Sequence, residues 1–416
     1  MENRNTLEVN KLTYKEFFLD KVMLISYVFL ALFFFGVVEM VYERYFLLSA
    51  TAADAGLFPG SRAVAEAMKE AVFGNGGEVK REAPWSLYIV NYIYMVYVGS
   101  GIIFIVAIGE LLENKEIKNM AAAFLSLGLA MVIAGLVTIL VDLNVLNLLS
   151  MLLSPQFSSG MWLMLPLYTV YVPLVILEIY LVLSHKDAWI KKIAYAIIIL
   201  SLLVEVIEFY VQAKLFDMNS ARHLWTTYPL LPLYFVVSSF TSSLAIMSLY
   251  VYLNKGNFML RYIIERATLY FVLALGIYEA VSYLFIDKKW AEIILFGDFK
   301  YWFYLYVFLA VLLPLALLFK HYMNIYFKIT AAFSIILGTF LGKIVFVYGG
   351  NAYPMSDRFG VGFEKYFEYD EVKNVIFFMP PFSEVAIVIG SVGIVLIIFR
   401  AVDLLLLPKK LVEKGV

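Results

Sequence analysis

The chain has no cysteine and only three histidines among 416 residues. Without cysteine there is no disulfide, and no iron–sulfur cluster can be held by the chain's own thiolates. Three histidines leave little for haem, which needs two axial ligands close together inside a bundle. His185 and His321 both fall at helix ends and read more simply as basic interfacial residues. Charge is scarce as well: 16% of residues are charged and the net charge is −1, so nothing here would attract nucleic acid. No cleavable leader is evident, since the first apolar run starts near Lys21, is too long for a signal-peptide core and lacks a small-residue cleavage site.

Apolar surface is what the sequence has in excess. Hydrophobic residues make up 63% of the chain and aromatics 17%. A soluble fold of this length cannot hide that much apolar area, whereas lipid can face it, and the aromatics suit interfacial belts. Ten apolar runs are long enough to span a bilayer, near 22–48, 86–112, 119–141, 159–183, 189–213, 228–253, 267–286, 301–320, 326–348 and 381–407. The expected fold is therefore an all-α polytopic membrane protein with about ten transmembrane helices and both termini on one side. Eighteen of the 32 lysines and arginines lie on the terminus side, in short segments. That bias favours cytoplasmic termini and a multi-pass protein of the cytoplasmic membrane.

Two longer loops, 49–85 and 349–380, then fall outside. Segment 61–73 (SRAVAEAMKEAVF) has an amphipathic helical pattern suited to a membrane surface or a partner. Residues 349–380 begin GGNAYP and are rich in turn formers and aromatics; they read equally well as a docking surface or a plain cap.

The stretch 142–183 organises the rest. Asp142 ends one apolar run. A bridge with Pro155 and Ser154, Ser158 and Ser159 follows, and then a run from Gly160 to Leu183 whose one charge is Glu178. As a helix that run is about 36 Å long, enough to cross a core of about 30 Å. Tyr171 and Glu178 are seven apart and share a face. An acid in a membrane helix faces the protein interior or a water-filled cavity, because lipid does not solvate it. Glu205 and Glu208 share a face at i, i+3, and Glu279 and Glu39 are further acids within spans. The plainer reading of each is pairing with tyrosine or lysine to fix packing. Lys343 is a candidate partner, or a side chain that snorkels outward.

Four segments resemble the membrane subunits of the polysulfide reductase family, often called NrfD/PsrC. They are PWSLYIVNYIYMVYVGSG (84–101); VDL followed by SPQFSSGMWLMLPLY within 141–168; YPLLPLYFVVSSFTSSLA (228–245); and the pair KIVFVYGGNAYP (343–354) and PPFSEVAIVIG (380–390). The ten-span count looks like the longer members, with one extra helix at each end of an eight-helix core. The resemblance implies two four-helix bundles, 86–213 and 228–348, flanked by an N-terminal helix and outer loop (1–85) and by an outer loop and C-terminal helix (349–416).

It also implies a quinone-interacting anchor of a respiratory oxidoreductase. Such a subunit passes electrons between menaquinone or ubiquinone and an extracytoplasmic iron–sulfur subunit, beside a large molybdopterin or hydrogenase-type catalytic subunit. It carries no haem, cluster or other metal and catalyses nothing alone. Where several members have a histidine, this chain reads Val98, Gly99, Ser100, Gly101. Asp142 is followed by Leu143, Asn144 and Val145 rather than Gly-Arg-Pro. Lys343 and Asn351 stand where the family often has Arg and Gln.

Quinone chemistry needs an apolar slot, hydrogen-bonding groups for two oxygens, and a titratable group. The candidate pocket residues are Asn91, Tyr92, Tyr168, Tyr171 and His223, and the candidate proton relay is Asp142, Glu178, Glu205 and Glu208. Each has a plainer alternative: a helix–helix hydrogen bond for Asn91, packing for the tyrosines, a capping role for Asp142, a solvated loop for His223. Trp85, Trp162, Trp225 and Trp302 sit near outer span ends, as interfacial anchors do, although Trp85 and Trp162 could lean over a quinone mouth. A rival reading, a secondary transporter or proton-translocating channel, is fed by the buried acids and by weak similarity between spans two to five and six to nine. Prolines 166, 173, 229 and 232 permit kinks but show no paired half-helices.

Overall fold

Ten long helices carry the described residues of the chain back and forth between two faces. The computed structural model describes residues 18–42, 85–143, 151–155, 157, 159–183, 188–218, 222–253, 258–319, 324–353, 367–370 and 375–406. The amphipathic segment 61–73, His185 and His321 lie outside the described residues. The helices are α1 (Lys21–Val41), α2 (Leu87–Leu111), α3 (Ala121–Asp142), α4 (Gly160–Leu183), α5 (Ala188–Asp217), α6 (Leu231–Leu253), α7 (Phe258–Ser282), α8 (Lys300–Leu318), α9 (Ile325–Asn351) and α10 (Phe382–Leu406).

Nine of them are long and apolar enough to cross a membrane, so the chain is an all-α, multi-pass membrane protein. The remaining long helix, α7, begins earlier than its apolar run because it includes Arg261, Glu265 and Arg266. Of these, Glu265 accepts from Lys328 at 2.7 Å and from Tyr252 at 2.6 Å. One small departure from all-helix is an antiparallel hairpin, Phe367–Asp370 with Val375–Phe378, between α9 and α10.

Helix α2 is the core of the molecule. It is apolar all round and buried over 83% of its most hydrophobic stretch, against 22% for α1. A helix apolar on every side belongs among other helices. Neighbours α3, α5, α6, α9 and α10 pack around it. Gly99 and Gly128 make the α2–α3 crossing close: a Cβ on Gly99 would lie 2.6 Å from the Gly128 carbonyl oxygen, so no side chain fits without separating the backbones.

Hydrogen bonds fix the two faces. Leu87 N, at the start of α2, donates to Glu384 at the start of α10 (3.2 Å). Asn351, at the end of α9, donates to Trp85 O (2.9 Å). These ends define one face, here called the pocket face. At the opposite, distal face Arg400 of α10 makes two hydrogen bonds to Asp20, the N-cap of α1 (3.0 and 2.9 Å). The outer ends of the first and last helices therefore lie together.

Candidate functional site

At the pocket face, α2, α3, α4 and α5 leave a cavity of about 520 Å³ between them. That lies within the range of roughly 300–1,000 Å³ usual for small-molecule sites. Its walls are mostly apolar, with Ile93, Leu136, Ile139, Met164 and Val172 among them. α4 carries Pro166 and Pro173 within the helix, and Pro173 forms part of the wall. Proline has no N–H and so loosens the backbone ladder where it stands.

Polar groups gather where α4 meets α5. Gln212 Nε2 donates to the Tyr92 hydroxyl at 2.7 Å and to the Tyr168 hydroxyl at 2.5 Å, and all three residues line the cavity. Tyr92 in turn donates to Tyr168 at 3.4 Å. Tyr168 passes its own proton to Glu208 Oε1 at 3.0 Å, so Glu208 stands one hydrogen bond behind the wall. The second oxygen of Glu208 accepts from Ser100 at 2.9 Å. Ser100 thereby fixes the carboxylate. One turn further on, Glu205 accepts from Tyr171 at 2.6 Å. Gln212 Oε1 is buried and has no hydrogen-bond partner among the described residues. An amide with both donor bonds committed and its acceptor open is equipped to receive a hydrogen bond from a ligand.

The cavity mouth carries Asp142, partly exposed, and Trp85. Trp85 stacks on Trp225 with centroids 4.9 Å apart and planes 20° from parallel. Trp162 does not line the cavity; its indole N–H donates to Met151 O at 2.8 Å.

Of the residues singled out from sequence, the fold brings Tyr92, Tyr168 and Asp142 to the cavity, with Tyr171, Glu205 and Glu208 behind it. Asn91 is buried elsewhere, donating to Thr138 (2.9 Å) and Ser391 (3.1 Å), and so ties α2 to α3 and α10. His223 is exposed at the start of a short helix and is not among the cavity residues. Glu178 is buried on α4, toward the distal face. Glu39 is partly exposed on α1. Gln212 was not legible as a site residue, although its spacing from Glu205 and Glu208 (i+7, i+4) puts all three on one face of α5.

A second buried cluster lies among α6, α7, α8 and α9. Glu279 accepts from Tyr306 at 2.7 Å and from Tyr228 at 3.4 Å. Lys343 does not snorkel. It is buried, donates to Ser238 at 2.6 Å, and its Nζ lies 4.2 Å from the Tyr234 ring centre and 4.4 Å from that of Phe235. Among the described residues no group of three or more His, Asp or Glu side chains is placed to hold a metal ion.

Residues 77–354 match the family model described as "Polysulphide reductase, NrfD". No curated protein matches the chain.

Proposed function

Because the chain belongs to the polysulphide reductase NrfD family, we propose that the cavity is a quinone site and that the protein is the membrane subunit of a respiratory oxidoreductase. The observation carrying this reading is the join between an apolar slot and the Gln212–Tyr168–Glu208 chain at its inner end. A menaquinone or ubiquinone supplies two-electron, two-proton redox chemistry when bound. The apolar walls hold ring and tail and keep bulk water out. The open Gln212 Oε1 can accept a hydrogen bond from a quinol hydroxyl and so orient that ring oxygen. Tyr168 connects that oxygen to Glu208, which holds or accepts a proton. Asp142 at the mouth is placed to serve the second oxygen.

Electrons come from, or go to, another chain. An iron–sulfur subunit docked on the pocket face, next to a molybdopterin or hydrogenase-type catalytic subunit, would bring a cluster near the cavity mouth. With cytoplasmic termini, as the basic residues favour, that face is the outer one. The complex purified from its native membrane is expected to contain bound quinone, and Gln212→Leu and Tyr168→Phe are expected to lower quinone-linked turnover at least tenfold. Unchanged turnover in both variants, or solute uptake by the isolated chain in liposomes, would overturn the assignment.

A further inference from the structure

Taking the cavity as a quinone site, we propose that it selects the redox state of its ligand. It binds the quinol, which brings two O–H donors, more tightly than the quinone, whose ring oxygens only accept, and Gln212 sets that preference. This selectivity rests on the quinone reading and goes beyond it by naming the form that is held.

The hydrogens at the inner end of the cavity are already placed. The Tyr168 hydroxyl donates to Glu208 Oε1 at 3.0 Å, and Ser100 takes the other oxygen of that carboxylate at 2.9 Å. With its own hydrogen committed, Tyr168 accepts from Gln212. That fixes the amide: its nitrogen faces the two tyrosines, and its oxygen is the atom left over. The Tyr92 hydroxyl accepts from Gln212 and gives its hydrogen to Tyr168. Thr169, on the same wall, donates to Leu165 O at 2.8 Å. Each of these hydrogens is directed at a protein acceptor and not at the cavity.

Acceptors are what remain for a ligand. Gln212 Oε1 is buried without a hydrogen-bond partner among the described residues. Pro173 has no N–H to offer the Thr169 carbonyl four residues before it, and both residues line the cavity. At the mouth stands Asp142, and an ionised carboxylate accepts but does not donate. A quinol hydroxyl facing Gln212 Oε1 completes a hydrogen bond. A quinone presents a carbonyl oxygen to the same amide oxygen, and neither atom has a hydrogen to share. Two partial negative charges then meet in an apolar slot, where an unpaired polar group is costly. A site built around a ligand's O–H rejects the analogue that lacks it for this reason.

Tighter binding of the reduced form raises the midpoint potential of the bound couple above that of the free one. Each tenfold in the ratio of the two dissociation constants corresponds to about 30 mV for a two-electron couple. The pocket then fills from a reduced pool and releases its ligand once that ligand is oxidised. The longest bond in the network, Tyr92 to Tyr168 at 3.4 Å, is where the preference is weakest. A Tyr92 hydrogen that turned to the ligand would serve a quinone and equalise the two affinities.

The test uses the whole complex, purified with its partners, stripped of bound quinone and kept free of oxygen. The probes are a short-tail naphthoquinone and its quinol. The partner's clusters are held oxidised for the quinone arm and reduced for the quinol arm, so that no turnover occurs. Equilibrium dialysis gives the two dissociation constants, and a redox titration of the bound ring gives its midpoint. The wild-type complex is expected to bind the quinol at least tenfold more tightly, with a midpoint at least about 30 mV above that of the free couple. Gln212→Met, similar in length but without the amide, is expected to lose at least tenfold in quinol affinity while quinone affinity changes less than about threefold. Tyr168→Phe releases one Gln212 N–H and the Tyr92 hydrogen, and should move the ratio towards the quinone by at least about threefold. Equal affinities in the wild type, or tighter binding of the quinone, overturn the selectivity and leave the quinone site standing. An equal loss of both affinities in a Gln212→Met complex with wild-type thermal unfolding overturns the role of Gln212. If neither form binds the wild-type complex, the quinone reading falls as well.

Discussion

Glu279 and Glu178 are both glutamates buried in the membrane interior, but they are treated in opposite ways. Both oxygens of Glu279 are taken by tyrosine hydroxyls, and a buried lysine stands near enough to interact with it. Glu178 has instead the Ser201 hydroxyl and another acid, Glu110, as its polar neighbours. A buried acid with its acceptor sites filled is a fixed part of the packing; replacing it disturbs structure. One set beside a like acid costs stability whenever both are charged. Under the proposed function, the difference separates an architectural half of the molecule, α6–α9, from the half that holds the cavity, α2–α5.

That contrast can be broken most directly at Glu208. Glu208→Gln keeps a polar group against Ser100 and Tyr168 but does not exchange a proton at neutral pH. Quinone-linked turnover should fall by roughly 10²–10⁴-fold while the thermal midpoint stays close to wild type. A loss of folding with no selective loss of turnover would move Glu208 into the same class as Glu279. The mirror experiment is Tyr306→Phe, which removes the shorter of the two donors to Glu279. It should cost about 1.5–3 kcal/mol in detergent unfolding and leave quinone affinity unchanged. If affinity falls instead, the two halves are not separable.

The smallest effect is expected at the distal face. Hydrogen bonding to Arg400 holds the Asp20 carboxyl below its ordinary value, so the α1–α10 clasp is fully made above about pH 4. As pH falls through the lowered value, Asp20 protonates and the contribution is lost. Arg400→Gln should remove under about 1 kcal/mol at neutral pH and flatten the acid limb of the stability profile. Turnover should not respond, since the clasp is remote from the cavity.

The membrane fold was readable because a run of some twenty apolar residues has few other uses, and the helix positions follow those runs closely. α7 begins well before its apolar run because Arg261, Glu265 and Arg266 interrupt hydropathy without interrupting the helix. The hairpin at 367–378 was hidden in a stretch dominated by turn formers and aromatics. Tyr92, Tyr168 and Asp142 stood out as polar groups near span ends. Gln212 did not, because an amide in an apolar helix has the same signature whether it ties two helices together, as Asn91 does, or lines a cavity. Glu110 is hard to read for a related reason: in GELLENKE it looks like the start of a solvated turn, yet it is buried. Which buried acids receive tyrosine hydrogen bonds is decided by neighbours on other helices, and spacing along one helix does not carry that information.

The stacked indoles of Trp85 and Trp225 have a practical consequence. Two of the six tryptophans lie face to face, one of them in the cavity wall, so their transitions couple and should give a paired band in near-ultraviolet circular dichroism. A redox-active ring settling beside Trp85 would quench its emission and distort that band. Under the proposed function, the Trp85–Trp225 pair is an optical gauge of cavity occupancy, readable without any label.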